Sequence, residues 1–411
     1  MRSKFFLLLA LIAIEPCTAA NIPPATRAPA RQVIAPPIPG SFFGLTVLDF
    51  SHLLPTMQFG TTRSWDAHPG LDWAEVNPSA GIYNFASLDR FISLNQSRGA
   101  EMIYTFGRTP QWASLHPSAP GPYGPGQCAP PANLAVWDSY VRAIVTHAAG
   151  KIKYWELWNE PNDPAFYCGD MPTMVTMAQH ASKIIKSIDP SALILSPAVT
   201  ASSGPGWLSA FLAEGGGAYV DVIAFHGYSS ANAEDILNVI AVYKKVMHVH
   251  GAARKPMWDT EANWAGSGNL QPPTIAHQVG FIPKYYLLQW SQGVSRFVWY
   301  AYDGGRWGGL RTASGGPSLA ATAYDETYRW MVGASLSAPC SADAAKIWTC
   351  TLSRPGGYQA EAIWISDRTV KVAVPEIFKE YRDLAGQVHP VVDGKVAVGD
   401  QPILLESAAL P

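Results

Sequence analysis

The sequence predicts an α/β fold, with a (β/α)8 TIM barrel followed by a small antiparallel β domain. Three observations predict it. Eight strand-like apolar runs alternate with helical patterns from about residue 42 to residue 334, and such alternation favours a parallel sheet covered by helices. Carboxylates stand where two of these runs stop, and a closed barrel has its functional residues at that rim. Beyond about residue 335, short alternating segments replace the helical patterns.

The composition is that of a folded protein with a large core. Hydrophobic residues make up 48% of the chain and charged residues only 15%, which argues against disorder. The net charge of −2, with dispersed Lys and Arg, predicts no binding to nucleic acid. A barrel takes about 250 residues. We therefore predict a catalytic barrel over residues 41–334 and a β-sandwich-like accessory domain over residues 335–411.

The N-terminus predicts an exported protein. Residues 1–20 have the features of a secretory signal peptide, namely a charged start, an apolar run over residues 5–14 and small residues for cleavage. The apolar run is too short to cross a bilayer. We therefore predict a secreted or periplasmic protein that is not inserted in a membrane. Residues 21–40, rich in Pro, Ala and Arg, are predicted to form an extended leader.

The cysteines predict two disulfides. Signal cleavage removes Cys17 and leaves four cysteines, an even number that suggests two bridges in an exported protein. Cys17 could instead carry a lipid, although the residues before it match a lipoprotein signal poorly. Three pairings are possible. The short separation of Cys340 and Cys350 favours a bridge that closes a local hairpin, and Cys128–Cys168 would then join the loops after two successive strands. No zinc-site spacing is present.

The barrel strands are predicted from apolar and aromatic runs. They lie at 42–48, 61–66, 101–107, 192–196, 219–228, 256–261 and 296–302, together with a run that begins at Ile152 and stops at Asn159. Helical stripes are predicted at 88–98, 137–148, 174–188, 236–246 and 275–292, the last with a kink at Pro283. The C-terminal strands are predicted at 347–352, 360–365, 370–374, 391–398 and 403–405.

Two glutamates stand at the ends of similar strands. Glu160 belongs to a turn-forming Asn-Glu-Pro-Asn segment, and Glu261 ends the run Trp-Asp-Thr-Glu. Their positions are 101 residues apart, enough chain for about two and a half βα units. Because the strand ends of a barrel meet at one rim, we predict that the two carboxyl groups face each other across one cleft, about 5 Å apart.

Two facing carboxyl groups are what the cleavage of a glycosidic bond needs. Glu160 is predicted to hold a proton for the leaving oxygen, and the apolar rings of Trp155 and Trp158 are expected to raise its pKa. Glu261 is predicted to stay ionised as the nucleophile, so it needs hydrogen-bond donors and a nearby cation.

Further polar residues at strand ends are candidate cleft residues. Arg63 and Tyr228 stand at the ends of the second and sixth predicted strands, where they could donate to Glu261. His226 is predicted to contact the sugar, although a core histidine with satisfied hydrogen bonds is the alternative. Glu156 lies deeper on its strand and is predicted to be a structural carboxylate of the barrel.

These residues resemble those of a known family. Trp158-Asn159-Glu160-Pro161 resembles the acid/base signature of the clan A retaining glycoside hydrolases, and the preceding Tyr154-Trp155-Glu156-Leu157 is most similar to family 39. That family includes β-xylosidases, iduronidases and bacterial exopolysaccharide glycosidases. The supporting matches, spread over about residues 42–334, are Phe43-Gly44, Arg63, Trp73, Gly81-Ile82-Tyr83-Asn84-Phe85, Thr109-Pro110 with Trp112, and His226 with Tyr228.

The resemblance implies a role for each matched residue. Glu160 would be the acid/base and Glu261 the nucleophile. Trp299 would form the floor under the reacting sugar, although Tyr300 and Tyr302 are competitors in the same strand. The other substrate-binding residues that the resemblance implies are Asn159 at the sugar 2-hydroxyl, Tyr228 beside the nucleophile, and Arg63, His226 and Trp112.

The sequence therefore predicts a secreted retaining β-glycosidase that acts on an oligo- or polysaccharide and uses no metal or cofactor. The rim loops at 116–131 and 303–317 are long and bear aromatic residues such as Trp307, which favours a polysaccharide attacked internally. An exo-acting β-xylosidase is the alternative within this class. A carbohydrate-binding protein without turnover is the alternative outside it. The sugar, the linkage and the oligomeric state stay open.

Overall fold

The structure, a computed structural model, describes residues 36–51, 54–230, 232–264, 274–305 and 307–410. The predicted signal peptide, Cys17 and most of the predicted leader lie outside the described residues. Ile38, near the end of that leader, is already buried and exchanges backbone hydrogen bonds with Gly333 and Ala334. The packed part of the chain therefore starts a few residues before the predicted boundary at 41. Among the described helices, none combines the length and the apolar character needed to cross a membrane.

Nine parallel strand segments form the central sheet. They are β1 (Phe43–Leu45), β2 (Thr61–Arg63), β3 (Glu101–Thr105), β4 (Tyr154–Glu156), β5 (Leu193–Leu195), β6 (Val199–Thr200), β7 (Ile223–His226), β8 (Met257–Ala262) and β9 (Val294–Trp299). Their order in the sheet is β5-β4-β3-β2-β1-β9-β8-β7-β6.

This sheet closes into a barrel through an interrupted strand. The two outermost segments, β5 and β6, follow each other in the chain and are separated by Ser196, Pro197 and Ala198. Proline has no N–H to give to a strand ladder, so it interrupts the pairing. A parallel bridge from Leu195 to Val222 joins the β5 end to the chain that enters β7. The nine segments thus trace eight strands, and the predicted (β/α)8 fold is confirmed.

Helices alternate with these strands. They are α1 (Trp73–Val76), α2 (Ala86–Ser97), α3 (Leu134–His147), α4 (Met171–Ile188), α5 (Gly204–Ala213), α6 (Ile236–Val249), α7 (Ile275–Ser291) and α8 (Leu319–Met331). The sequence analysis located α2, α3, α4, α6 and α7. It missed α5 because Gly204-Pro205-Gly206 is typical of a turn. Helix α7 continues as one element through Pro283.

Most strands are shorter than predicted. The first prediction ran over 42–48 and the sixth over 219–228, whereas β1 spans Phe43–Leu45 and β7 spans Ile223–His226. The residues that follow β7 leave the ladder and turn over the barrel mouth. Apolar and aromatic residues continue past the end of pairing, so the pattern alone overestimates strand length.

An apolar cluster separate from the main core is formed by residues in and beside the barrel strands. Its members are Ile103, Leu195, Ala198, Val222, Ala224, Trp258, Val298 and the partly buried Tyr154. The Arg296 guanidinium lies 4.4 Å from the ring centroid of Tyr154 and 4.2 Å from that of Trp258, and it pairs with Glu101 at 2.5 Å.

The C-terminal residues form antiparallel sheets, as predicted. Their strands are β10 (Ser335–Leu336), β11 (Ser341–Ala342), β12 (Trp348–Ser353), β13 (Gln359–Trp364), β14 (Val370–Ala373), β15 (Glu380–Arg382), β16 (Val388–Pro390), β17 (Lys395–Val398) and β18 (Ile403–Glu406). The barrel and these sheets belong to one compact unit. Polar contacts join them. The Trp364 indole donates to Glu234 at 2.8 Å, and buried Lys284 on α7 pairs with Asp400.

Two disulfides join the four cysteines that follow the predicted signal peptide. Cys340–Cys350 closes the β11–β12 hairpin, and Cys128–Cys168 joins the loop after β3 to the loop after β4. These are the two pairs that the spacing favoured. The second bridge ties together two loops at the rim that carries Glu160.

Candidate active site

The two predicted glutamates meet at the C-terminal rim of the barrel. Glu160 follows β4, Glu261 lies near the end of β8, and His226 ends β7 between them. One carboxylate oxygen of each glutamate and one ring nitrogen of His226 all lie within 4.8 Å of one another. His226 Nδ1 is 2.7 Å from Glu160 Oε1, and its Nε2 is 4.0 Å from Glu261 Oε2. The histidine is therefore hydrogen-bonded to Glu160 and lies close to Glu261.

Arg63, at the end of β2, ties this rim together from inside the barrel. Its Nη1 donates to Glu261 Oε2 at 2.6 Å, and its Nη2 donates to Asn159 Oδ1 at 2.7 Å. Its Nε donates to Glu156 Oε1 at 2.8 Å, and Thr105 donates to the same oxygen at 2.9 Å. Arg63 and Glu156 are both fully buried. Glu156 thus balances the guanidinium charge, which fits the predicted structural role of this carboxylate.

Glu261 is held by donors on both of its oxygens. Arg63 occupies Oε2, and the Tyr228 hydroxyl donates to Oε1 at 2.9 Å. Burial raises the pKa of Glu261 above its ordinary value, and the charges of His226 and Arg63 counteract part of that rise. A carboxyl group that accepts on both oxygens has the geometry of its ionised form. Arg63 and Tyr228 are the two donors predicted from the sequence, and the structure brings both to this carboxylate.

His226 is fully buried between two acids. Burial lowers the pKa of its imidazole, but the charge of Glu261 and the hydrogen bond with Glu160 outweigh that effect and raise the pKa above 6.5. Its Nε2 has no hydrogen-bond partner among the described residues. The ring therefore takes up a proton more readily than a free imidazole does.

Glu160 is presented by an unusual backbone conformation. Its φ of 44° lies in the left-handed region, which is costly for a residue with a side chain. Its N–H donates to the Ala198 carbonyl at 2.7 Å, so the interruption between β5 and β6 supports this turn. The two tryptophans expected beside Glu160 pack against other rings, and its carboxyl group has a polar partner. Trp155 packs on Tyr104 and Phe106, and Trp158 packs on Trp137 and Tyr167, whereas the carboxyl group bonds to His226.

Trp299 is not the sugar platform. Its side chain has no exposed surface, its indole N–H donates to the Gly308 carbonyl at 2.8 Å, and its ring packs edge-on against Trp264. A fully buried ring has no face to offer to a sugar. The next residue, Tyr300, is partly exposed, and its hydroxyl donates to Asp66 Oδ2 at 2.9 Å. Tyr300, which the sequence analysis named as a competitor, replaces Trp299 as the candidate ring.

The structure places Trp112 against helix α3. It lies in a short 3-10 helix, Gln111–Ala113, where its indole N–H donates to the Asn77 carbonyl at 3.0 Å. Its ring lines a separate groove with Tyr83 and with Arg142 and His147 of α3. The turn after β3 directs this ring to the outer face of α3, and its place in the substrate cleft stays a prediction.

The structure adds a polar cluster that the sequence analysis missed. The Arg108 guanidinium pairs with Asp66 and with Asp72 and lies 3.4 Å from the ring centroid of Tyr123. Asp66 is bonded to Tyr300, which places the cluster at the same rim. A charged residue at the end of one predicted strand, Asp66, and one just after the next, Arg108, were the available signal. The pairing itself crosses 42 residues and has no local pattern.

Glu160, His226 and Glu261 also have the spacing to hold a metal ion. One of them, Glu261, already faces the permanent charge of Arg63 at 2.6 Å. The raised pKa of His226 further favours a proton on the ring, and a metal ligand must be neutral imidazole. The donor set therefore suits protons and sugar hydroxyls better than a cation.

The separation of the two glutamates points to one kind of chemistry. Carboxyl groups about 5 to 5.5 Å apart allow one to attack the sugar directly, whereas about 6.5 to 9.5 Å is needed to place a water between them. One carboxylate oxygen of Glu160 and one of Glu261 lie within 4.8 Å of each other. The arrangement therefore suits an acid paired with a nucleophile.

Comparison with known proteins agrees with this geometry. Residues 132–324, which include both glutamates, match the family model described as the glycosyl hydrolase catalytic core. A family 39 glycoside hydrolase from Bacteroides cellulosilyticus WH2 has 18% identity and a TM-score of 0.69 over 90% of this chain and 82% of that chain. A family 39 β-xylosidase from Caulobacter crescentus has 16% identity and a TM-score of 0.65, with coverages of 91% and 98%. A family 30 endoxylanase from Clostridium papyrosolvens C71 has 11% identity and a TM-score of 0.62, with coverages of 91% and 97%.

Such low identities establish a shared fold, and the catalytic-core match adds the class of enzyme. The fold, the match over residues 132–324 and the facing carboxyl groups all agree. The chain is a glycoside hydrolase with the fold of the clan A enzymes of families 39 and 30.

Proposed function

We propose that the protein is an exported, retaining β-glycosidase that hydrolyses a polysaccharide by double displacement, with internal bonds favoured. The observation that carries the proposal is the approach of Glu160 and Glu261 to within 4.8 Å of each other. That separation supports direct attack by one carboxylate on the sugar.

In the first step, Glu160 protonates the glycosidic oxygen while Glu261 attacks the anomeric carbon. The bond to the leaving group breaks, and a glycosyl ester forms on Glu261. Arg63 and Tyr228 hold the attacking carboxylate in one orientation through bonds of 2.6 and 2.9 Å, which lowers the entropic cost of reaching the reactive geometry. Asn159 accepts from Arg63 through Oδ1, so its amide N–H groups are the ones oriented for a sugar hydroxyl.

In the second step, water replaces the ester. Ester formation removes the negative charge of Glu261. Glu160 thus loses a repulsive neighbouring charge and can act as the base. Glu160 takes a proton from water, the hydroxide oxygen bonds to the anomeric carbon, and Glu261 leaves as a carboxylate. The net change is retention of configuration. His226 Nδ1, 2.7 Å from Glu160 Oε1, holds this carboxyl group in position for the step.

A polymeric substrate is supported by the rim loops and by export. The long loops at 116–131 and 303–317 can contact several sugar units, and Cys128–Cys168 stiffens the first of them. Paired cysteines favour an oxidising compartment, where polysaccharides are encountered. An exo-acting β-xylosidase is the second candidate, because one similar structure is named a β-xylosidase.

Product analysis tests the proposal. The purified protein is incubated with aryl β-glycosides and with plant and bacterial polysaccharides, and the first anomer released is followed by proton NMR. We expect β-anomer first and, on the polymer, a mixture of oligosaccharides. Release of single xylose units would favour the exo alternative. Release of the α-anomer first would contradict the retaining mechanism, and sugar binding without turnover would identify a carbohydrate-binding protein. Glu261→Gln is the matched inactive control.

A further inference from the structure

Strand β8, which carries Glu261, has one extra residue just before that glutamate. In β8, Asp259 pairs with Phe225 of β7, but the next pair is Glu261 with His226. Thr260 therefore has no counterpart on β7. The ladder to β9 shifts in the same segment, between Asp259 and Ala262. A bulge of this kind bends the strand and changes the direction of the side chains that follow.

Asp259 accepts the backbone N–H groups at this bulge. Its Oδ1 lies 3.0 Å from Gly227 N and 3.4 Å from Glu261 N, and its Oδ2 accepts from Gln289 Nε2 at 2.8 Å. Gln289 belongs to α7 and, like Asp259, is fully buried. One carboxylate thus joins β8, the end of β7 and a helix outside the barrel.

The turn after β7 is clamped from both sides. The Gly227 N–H reaches Asp259 and the Glu261 carbonyl, and the Gly227 carbonyl accepts from the Tyr285 hydroxyl. A Cβ at position 227 would collide with Asp259 Oδ2, so a glycine allows this close approach. The residues on either side of Gly227 are His226, bonded to Glu160, and Tyr228, bonded to Glu261.

We propose that Asp259 is a positioning residue that sets the direction of Glu261 and fixes the turn carrying His226 and Tyr228. The proposal rests on the proposed function for its kinetic consequences. Asp259 contacts neither the substrate nor the reacting atoms; it acts through backbone groups. Gly227, Tyr285 and Gln289 complete the same clamp.

The charge of Asp259 is not required for the clamp, whereas its acceptor oxygen is. Burial raises the pKa of Asp259 to about 7, so the group changes protonation near neutral pH. The Oε1 atom of Gln289 has no hydrogen-bond partner among the described residues. An asparagine at 259 could therefore accept from Gly227 through Oδ1 and donate to a reoriented Gln289, which makes Asp259→Asn the conservative variant.

Kinetics of two variants test the proposal. For Asp259→Ala we expect kcat to fall about 100-fold with a small change in KM, because a misplaced reacting group loses its near-attack geometry. The acid limb of the pH profile should move to higher pH, since Glu261 loses donors that stabilise its ionised form. Asp259→Asn should recover most of the rate. A kcat for Asp259→Ala within a few-fold of wild type, or equal losses in both variants, would overturn the proposal.

Stability and hydrogen exchange separate positioning from a general loss of packing. Leu288→Ala, at a fully buried site on α7, is the matched destabilised control and should keep the wild-type kcat. Backbone hydrogen exchange in Asp259→Ala should increase at residues 226–228 and 257–262 above the rest of the barrel. Unchanged exchange there would overturn the clamp even if the wild-type protein hydrolysed no glycoside. Should Asp259→Ala not fold, Gln289→Leu takes its place, with a smaller loss of kcat expected and unchanged kcat counting against the proposal.

Discussion

The barrel rim and the C-terminal sheets bury different kinds of residue. At the rim, Arg63, Glu156 and His226 are fully buried and bonded to one another or to the two glutamates. In the C-terminal sheets, the core is an apolar cluster, and a buried acid such as Glu406 pairs with Arg382 and Tyr358 and not with the rim residues. Burying charge costs desolvation that pairing repays only in part. The charged residues buried at the rim therefore lower the folding stability while serving the chemistry, whereas the core of the C-terminal sheets is mainly apolar.

Among substitutions at the rim, replacing the nucleophile should have the largest effect on activity. Glu261→Ala should lower kcat/KM on the order of 10⁴-fold or more, because Glu261 is the carboxylate positioned to form the glycosyl ester. The fold should persist, since an uncharged methyl group leaves Arg63 paired with Glu156. Rates on an aryl glycoside and circular dichroism measure the two results. Substantial residual activity would mean that another residue is the nucleophile.

Replacing the acid/base should have an effect that depends on the leaving group. Glu160→Ala should slow substrates with poor leaving groups by about 10² to 10⁴-fold, and activated aryl glycosides far less, because they do not need a proton. Added azide should restore the rate and give a β-glycosyl azide. The comparison uses one sugar with a series of aryl leaving groups. Equal losses across the series would count against this role.

Breaking the buried ion pairs should reduce both activity and stability. Arg63→Met leaves Glu156 without its cation in a site with no exposed surface, and breaking such a pair costs about 3–5 kcal/mol. The free energy of unfolding from urea titration measures this cost. A loss below about 1 kcal/mol would show that Thr105 and water satisfy Glu156 without the arginine.

A core substitution in the C-terminal sheets should separate stability from activity. Leu404 of β18 is fully buried, and truncating such a leucine costs about 2–5 kcal/mol. Below the unfolding transition, Leu404→Ala should keep the wild-type kcat, because this strand contributes no side chain to the rim. A proportional fall in kcat would show that the two regions are coupled more tightly than their contacts indicate.

The pH dependence of stability should show the smallest effect. The folded-state pKa of His226 is raised above 6.5, so its bond with Glu160 and its charge near Glu261 stabilise the protein fully below that pH. This contribution is lost as the pH rises through the folded-state pKa. The difference in unfolding free energy between wild type and His226→Gln should therefore shrink from pH 5 to pH 9. A constant or growing difference would contradict the raised pKa.

Local patterns predicted the helices and strands well where the pattern depends only on which side chains are buried. The α3 stripe and the strand before Asn159 were both recognised, since the periods of 3.6 and 2 depend on neighbouring positions. Helix α5 was missed because its Gly-Pro-Gly start is also a turn signal. Trp299 was misassigned for a different reason. Successive strand residues face opposite sides, so an error of one position exchanges a buried ring for the exposed ring of Tyr300.

By itself, the sequence determined the alternation of strands and helices, the Asn-Glu-Pro turn and the two glutamates at strand ends, because each depends on residues close together in the chain. The tertiary structure decided which groups surround those glutamates. Asp259 meets Gln289 across 30 residues, and Arg63 meets Glu261 across 198. Such contacts form only when the barrel closes and brings strand ends to one rim, so no local pattern encodes them.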